Sequence, residues 1–388
     1  MAQVLQIPSE LPDNENTVAS KPPTTFRWRR FPCLMVNLCD RCGRLAGAIT
    51  MANPEHLKML ADGPDEILRW QQSHPYDNLD LSEADLRIYD LRGANLAEAN
   101  LSHARMDGMD LQHCDLLNAI LSRASLRGVD LSNAVMSGVT ADHAVFAEAN
   151  MRRVRADRAD FGWTSMVAVD ATEAAFSNAD MISADLTGAT CDGATFTEAV
   201  LIKARLGRCS AIDATFRDAD LVDASLRQAN FSNCNFLNAR LIHADLYGAV
   251  LHGAVLGDVE ASNLTKADLT DANLEASRMV ESKLTAADLN SAHLLNADLR
   301  GADLRGADLT DANLKNANFT GARLENVRVP STDFWDELVD RKLKPMHFES
   351  LQERWEVITN CSLYGHPTFH LRERQFVTAD ESDDELLP

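Results

Sequence analysis

The sequence has few basic residues for its length. Its 388 residues contain 37 Lys and Arg against 58 Asp and Glu, which gives a net charge of −21 at pH 7. A protein that neutralises nucleic-acid phosphates needs a basic surface. We therefore expect no direct nucleic-acid binding. An acidic surface instead favours a protein partner, including one whose DNA-binding groove an acidic surface can occupy.

Long apolar runs are also missing. A membrane-spanning helix needs about 20 consecutive apolar residues, and polar residues interrupt every apolar stretch well before that length. The longest run near the N-terminus, in WRRFPCLMVNLCDRC, is broken at Asn37 and Asp40. The sequence thus predicts no membrane segment and no signal core.

Catalytic and metal-binding motifs are absent as well. There is no G-x-S-x-G, no phosphate-binding glycine loop and no HExxH. Cys33, Cys39 and Cys42 lack a fourth ligand nearby. At the other end, Cys361, His366 and His370, with His347 as a fourth candidate, have no accompanying CxxC pair. We predict no enzymatic activity, no metal and no cofactor.

What the sequence does contain is a five-residue repeat. The stretch ADLRGADLRGADLTDANLKNANF, residues 297–319, shows a small residue followed two positions later by a large apolar one. With the large residue called i, the series starts at Leu81 and holds its register to Leu256. A second series runs from Leu264 to Leu324 and, weakly, Val329. Self-similarity over about 50 units indicates a repeat architecture.

The period fits neither a helix nor a simple strand. Positions i−2 and i lie on the same face of an extended segment, whereas i+1 and i+2 are polar or Gly and indicate a turn. A turn every five residues produces a four-sided coil of about 20 residues, and successive coils stack at about 4.8 Å. The prediction is an all-β solenoid of about twelve coils. A long amphipathic helix is rejected because its apolar stripe would spiral around the axis.

These residues resemble the pentapeptide-repeat family, whose motif is A(D/N)Lxx. The resemblance extends from Asp80 to about Arg328. It implies a right-handed quadrilateral parallel β-helix. It also implies an alternative role, because some relatives mimic duplex DNA and bind a type II topoisomerase such as gyrase. Those gyrase binders are shorter and dimerise through a C-terminal helix.

The repeat pattern assigns structural roles to several conspicuous residues. Cys114, Cys191, Cys209 and Cys234 fall on core positions, which favours free thiols and a reducing, cytoplasmic location. Asp298, Asp303 and Asp308 occupy i−1 positions on successive sides of a coil. They should therefore diverge and stabilise turns. In pairs such as Val139/Ala141, a small i residue follows a larger i−2 residue, and the total volume is conserved.

One outward position is unexpectedly apolar. Ile182, Ile202, Val222 and Ile242 all lie at i+1 and are spaced by 20 residues, which places them on one face in successive coils. We call these four residues the aliphatic ladder. Trp163, at i+2 one coil earlier, extends it. The ladder is our candidate partner-binding surface. A homodimer contact, a cover formed by the terminal segment, and plain β-propensity are the alternatives.

The register slips once, between Leu256 and Leu264. The favoured interpretation is a bulged loop at a corner, residues 257–263, which also makes a candidate contact loop. Its candidate residues are Gly257, Asp258, Val259, Glu260 and Ala261. The alternative treats Val259 and Ala261 as the i−2 and i positions of a further repeat, followed by a two-residue deletion.

The solenoid ends need covers because stacked coils expose unpaired edges. Residues 51–78 predict a cap of short helices interrupted at Gly63–Pro64, and 330–375 predict a helical C-terminal cap after the repeats of 79–329. Residues 376–388 form an acidic, disordered tail. Residues 1–50 are interpreted as a disordered leader or a mis-called extension before a start at Met51. The expected function is a non-enzymatic scaffold for an unknown protein partner.

Overall fold

The computed structural model describes residues 52–361 and 367–375. Within these residues, seven helices and strands lie outside the repeats or at their end. In chain order they are α1 (Pro54–Leu60), α2 (Pro64–Ser73), β1 (Arg328–Val329), α3 (Phe334–Asp340), α4 (Phe348–Arg354), β2 (Trp355–Cys361) and β3 (Pro367–Glu373).

Stacked coils fill the chain between α2 and β1. Parallel bridges join residues 20 apart, for example Asp80 with Asn100 and Asn100 with Ile120. Because 20 residues are four repeats, each coil has four sides. Apart from the side at Asp90, each side contributes a single bridging residue, at position i−1, which is too short to form a regular strand. The chain is therefore a β-solenoid built from isolated bridges.

The corners are two-residue turns at i+1 and i+2, as the sequence predicted. The i+2 residue adopts the left-handed conformation even when it is not glycine; φ is 60° at Glu83 and 59° at Arg123. This conformation costs roughly 1–2 kcal/mol for an L-residue. Stacking offsets the cost, because the i+2 amide donates to the next coil, as from Glu83 N–H to the Ser102 carbonyl at 2.8 Å.

Positions i and i−2 point inward and form the core. Leu81, Leu86 and Ala99 are fully buried. Phenylalanines on one side stack through four successive coils, with ring centroids 5.2, 4.7 and 4.8 Å apart from Phe176 through Phe196 and Phe216 to Phe236. The repeats in which the i−2 residue is larger than the i residue keep the bridges between coils. Val139 and Ala141 are both buried, and Thr140 bridges Asp160.

The predicted loop at 257–263 is wrong. Across the slip the bridge spacing falls from 20 to 18, since Arg240 pairs with Asp258 and Asp245 with Asn263, and it returns to 20 where Asp258 pairs with Arg278. Val259 occupies a buried i position and Ser262 the following small position. The chain thus lacks the two turn residues after Leu256. The deletion alternative had the right length but the wrong place.

Gly257 makes the shortened corner possible. A Cβ there would lie 2.9 Å from the Ala239 carbonyl oxygen and 3.1 Å from that of Phe236. These are backbone atoms that cannot rotate away. With no turn to carry it outward, the chain passes directly over the coil below, and only a residue without a side chain fits.

Two short helices precede the first coil, interrupted at Gly63 as the sequence predicted. Asn53 caps α1 by accepting from Glu55 N–H, and Gly63 enters α2 at φ +90°. Leu60 and Ile67 are buried against the solenoid core. The helices also join the first coil by polar contacts, such as Asn53 N–H to the Asp80 carbonyl at 3.1 Å.

The all-helical prediction for 330–375 is wrong in its second half. The helix expected to continue past Trp355 ends at Arg354, and β2 and β3 follow as an antiparallel pair. β3 also pairs with β1, so the sheet order is β1-β3-β2. β-branched residues dominate VIT at 357–359, and the backbone edge of the last coil offers β3 a partner. Strand pairing therefore prevails over helix propensity.

Candidate protein-binding surface

The aliphatic ladder forms one continuous column. Backbone bonds connect its rungs: Ser183 N–H donates to the Ile202 carbonyl at 2.9 Å and Lys203 N–H to the Val222 carbonyl at 3.0 Å. Asp223 N–H repeats the pattern with Ile242 at 3.1 Å. Spacing by one coil thus places the four aliphatic side chains on one corner of the solenoid, as the sequence predicted.

The ladder is half-buried rather than fully exposed. All four residues have intermediate solvent exposure. Apart from Val200, the residues that border the column on its i−1 side are polar. On the i−1 side, Asp180 accepts from Ile182 N–H at 3.0 Å and Arg240 pairs with Asp220 at 2.7 Å. An apolar strip with a polar border is a common feature of protein contact surfaces.

Trp163 lies at the start of the ladder and is its most accessible member. Its side chain is 58% exposed, although large aromatics are usually covered in folded proteins. One face of the indole stacks on His143, with centroids 5.5 Å apart and planes 15° from parallel. Its amide donates to the Ile182 carbonyl at 2.9 Å, so the backbone of Trp163 is joined to that of the first rung.

The structure adds residues that the sequence pattern missed. The shortened corner shifts the numbering, so that the column continues through Glu260 and then Val280: His243 N–H donates to the Glu260 carbonyl, and Ala261 N–H to that of Val280. Val280 is partly exposed. Glu260 interrupts the apolar strip and pairs with Arg278 at 2.6 Å. If the sequence pattern is continued with a spacing of 18 residues across the slip, it identifies both Glu260 and Val280.

The candidate loop residues fall into the regular coil. Gly257 and Asp258 lie on a side of the coil, Val259 is in the core, and Glu260 and Ala261 form a normal corner, with Ala261 at φ 52°. No loop projects from the solenoid between 257 and 263. Of these five residues, Glu260 and Asp258 offer charged side chains, Glu260 in the ladder column and Asp258 in the i−1 column beside it.

The aspartate row diverges and acts on its own turns. Each carboxylate accepts from the backbone N–H two residues ahead, as Asp308 does from Thr310 at 2.9 Å. The guanidinium groups of Arg300 and Arg305 bond the carboxylates of Asp298 and Asp303, and this holds the pKa of both carboxyls below the usual value. Separate ion pairs of this kind provide no shared acid–base centre.

The four core thiols are buried and unreactive. Cys114, Cys191, Cys209 and Cys234 are free and buried. Burial raises the pKa of Cys114 to about 11 and that of Cys191 and Cys234 to about 12, so these thiols stay protonated at neutral pH. Within the described residues no cluster of three His, Cys, Asp or Glu is placed to hold a metal. Cys33, Cys39, Cys42 and His366 lie outside those residues.

The repeat region matches a known protein family. The model for pentapeptide repeats matches residues 80–118, 119–155, 157–190, 189–228, 219–258, 267–306 and 297–336. The chain belongs to the pentapeptide-repeat family. These matches cover the stacked coils that carry the ladder. No curated protein was found to match the chain.

Several solved pentapeptide-repeat structures are similar to this chain. HetL, involved in heterocyst differentiation regulation in the cyanobacterium Nostoc sp. strain PCC 7120, is 26% identical and covers 69% of this chain and 97% of its own, with a TM-score of 0.19. Rfr23 from the cyanobacterium Cyanothece 51142 is 31% identical over 27% of this chain and 58% of its own, with a TM-score of 0.16.

QnrB1, a plasmid-mediated fluoroquinolone resistance protein, is 17% identical and covers 48% of this chain and 94% of its own, with a TM-score of 0.25. Among the described residues, none of the helices has the length and apolar content to cross a membrane.

Proposed function

We propose that this pentapeptide-repeat protein is a non-enzymatic scaffold that binds another protein along the aliphatic ladder. The observation that carries the proposal is the half-buried column of Ile182, Ile202, Val222 and Ile242, with Trp163 58% exposed beside its first rung. The column is rigid because every rung is held by a backbone hydrogen bond to the next coil. A rigid surface loses little conformational entropy on binding, which favours affinity.

The proposal includes the form and location of the scaffold. About twelve right-handed coils would present the ladder on one corner, with a cap at each end that prevents further stacking. The free, protonated core thiols are compatible with a reducing cytoplasm. The proposed scaffold requires neither a cofactor nor nucleic acid.

The ladder can be tested with two matched variants of the full chain. Ile202→Asp/Ile242→Asp places two charges in the column. Ile212→Asp/Leu237→Asp places the same charges at i+1 positions on other corners in the neighbouring coils, where Leu237 is 44% exposed. Both variants should keep the far-ultraviolet circular dichroism of the parent chain, since i+1 points outward.

The readout is cross-linking capture from native lysate followed by mass spectrometry. A binding protein should be retained by the parent chain and the control variant, and reduced at least tenfold by the ladder variant. Equal capture by all three baits would count against the ladder as the binding surface.

Mimicry of duplex DNA is the second candidate, favoured by the net charge of −21. Arginines bound to surface aspartates weaken this candidate. Arg92 bonds Asp110, Arg152 bonds Asp170 and Arg328 bonds Asp308, each between adjacent coils. These pairs place positive charge within the acidic columns. Inhibition of gyrase supercoiling at micromolar protein would favour mimicry over the scaffold proposal.

A further inference from the structure

The C-terminal sheet leaves one long strand edge without a partner. In the order β1-β3-β2, β3 is central and the seven-residue β2 is at the edge. Within the part of the chain that the structure describes, no backbone group of residues 356–361 bonds to anything beyond β3, apart from side-chain contacts. A free strand edge is a template for another strand.

The pairing register shows which groups are free. Arg374 N–H donates to the Arg354 carbonyl at 2.9 Å, which makes 354 and 374 a hydrogen-bonded pair. Such pairs alternate in an antiparallel ladder, so residues 356, 358 and 360 bond toward β3. The N–H and C=O groups of Val357 and Thr359 therefore point to the free edge, whereas the Trp355 N–H donates to the Leu351 carbonyl in the last turn of α4. Leu371 agrees with this alternation, because its amide bonds Val327 on the opposite side.

The free edge is firmly anchored. Trp355 is 1% exposed and Leu371, which faces Val357, is 2% exposed. The edge carries neither Lys nor Pro, the residues that commonly prevent edge pairing. Its one charged side chain, Glu356, accepts from Arg372 Nε at 2.9 Å within the same sheet. A strand that docks here meets a preformed template with no uncompensated charge.

We propose that β2 pairs antiparallel with β2 of a second copy of this chain, joining two sheets of three strands into one of six. The two-fold axis would pass beside Ile358. That register uses the free groups of residues 357 and 359 as hydrogen-bonded pairs across the axis. It sets Ile358 opposite its own copy and Glu356 opposite Asn360.

Self-pairing is favoured over an unrelated peptide because the strand is complementary to itself. A seven-residue strand centred on Ile358 overlaps its copy along the whole length, and no like charges come together. Opposed aliphatic residues at a non-hydrogen-bonded position stabilise antiparallel strands. The ladder is a separate surface, so this inference does not depend on the proposed function.

Disulfide trapping tests the register in the full chain. In a Cys361→Ser background, Ile358→Cys should cross-link readily under mild oxidation. Cα atoms at a non-hydrogen-bonded antiparallel position lie about 4.5 Å apart, within the range that a disulfide bridges. The matched control is Asn360→Cys on the same face, whose copies would lie about 13 Å apart along the strands and should not cross-link.

A second experiment measures the dimer without cysteine chemistry. Thr359→Pro removes an outward N–H and leaves the bonds to β3 intact, as edge strands tolerate. Thr359→Ala keeps that N–H. Light scattering coupled to size exclusion should show twice the chain mass for the parent and Thr359→Ala at tens of micromolar, and a single chain mass for Thr359→Pro. Circular dichroism checks that both variants fold.

The two experiments together distinguish β2 self-pairing from the alternatives. Selective cross-linking at 358 together with loss of the dimer in Thr359→Pro establishes β2 self-pairing. A chain that stays monomeric up to hundreds of micromolar overturns the proposal, as does a dimer that Thr359→Pro leaves unchanged. A monomer whose edge instead binds an extended peptide of another protein also overturns it.

Discussion

At the scale of single residues, the most constrained position is Gly257. Elsewhere in the solenoid a corner has two turn residues, and their side chains point outward. At Gly257 these residues are missing, and the backbone of the preceding coil lies where a side chain would begin. One missing methyl group thus permits a change of register within a continuous stack.

Gly257→Ala should destabilise the protein by about 1–3 kcal/mol, because the new Cβ must displace backbone atoms of Ala239 and Phe236. The matched control is Gly207→Ala, where the nearest atom, the Arg227 carbonyl oxygen, is an ordinary 3.6 Å from the added Cβ. The measurement is the urea midpoint followed by circular dichroism. Equal midpoints for the two variants would show that the shortened corner can relax.

The core shows the same dependence on volume. At Val139 and Ala141 the large and small residues exchange positions, yet both are fully buried and the bridge at Thr140 persists. The larger residue at i−2 fills part of the space that the smaller i residue leaves, so the core stays packed although neither position keeps its usual residue. The degenerate repeats between 139 and 175 therefore retain the coil.

At the scale of the element, a corner that follows Asp or Asn at i−1 is stabilised by that side chain. Asp303 accepts from Arg305 N–H at 3.3 Å, and its carboxylate also bonds the Arg305 guanidinium at 2.6 Å. This explains the abundance of Asp and Asn before the large residue: a short side chain with an acceptor oxygen satisfies the turn amide.

Asp303→Ala should lower the unfolding free energy by about 1 kcal/mol at pH 7, whereas Asp303→Asn keeps an acceptor for the turn and should lose less. The pKa of Asp303 is lowered in the folded state, first by its hydrogen bond to Arg305. Its ionic contribution is therefore present above the unfolded-chain pKa, about 4, and is lost as the pH falls through the lower folded value.

Denaturation of Asp303→Asn and the parent chain at a series of pH values checks the sign. The difference between them should shrink as the pH falls below about 4. A difference that grows in acid would contradict the assignment of this carboxylate as ionised and paired.

At the scale of the whole molecule, the C-terminal end of the stack determines whether coils of another chain can pair with the last coil. The C-terminal segment closes that edge with backbone bonds: Asn316 N–H donates to the Lys344 carbonyl, and Met346 N–H to that of Ala317, both at 2.8 Å. Leu371 N–H also bonds Val327. Phe319 and Leu324 beneath are nearly fully buried.

A chain that ends at Val329 should associate into species of many sizes, because it exposes these amides and carbonyls together with the apolar layer. A chain that ends at Gln375 keeps the closing segment and should behave like the parent. Light scattering at several concentrations distinguishes open-ended association from a discrete dimer. A monodisperse 1–329 chain would show that the last coil needs no cover.

The sequence by itself determined the repeat, the four-sided coil, the inward and outward positions and the alignment of the ladder. These depend only on local periodicity, because each five-residue unit repeats the same choice of core and turn residues. The helices on both sides of Gly63–Pro64 could be predicted for the same reason, from local stop and start residues.

Only the tertiary structure decided the place of the deletion, the β2–β3 hairpin and the free edge. In the stretch GDVEASN at 257–263 two registers satisfy the local pattern, and contacts with the coil below, at Phe236 and Ala239, select one. Likewise, residues 355–361 become a strand because β3 pairs with β1 at the edge of the last coil. Such choices depend on atoms far away in the sequence, which periodicity does not encode.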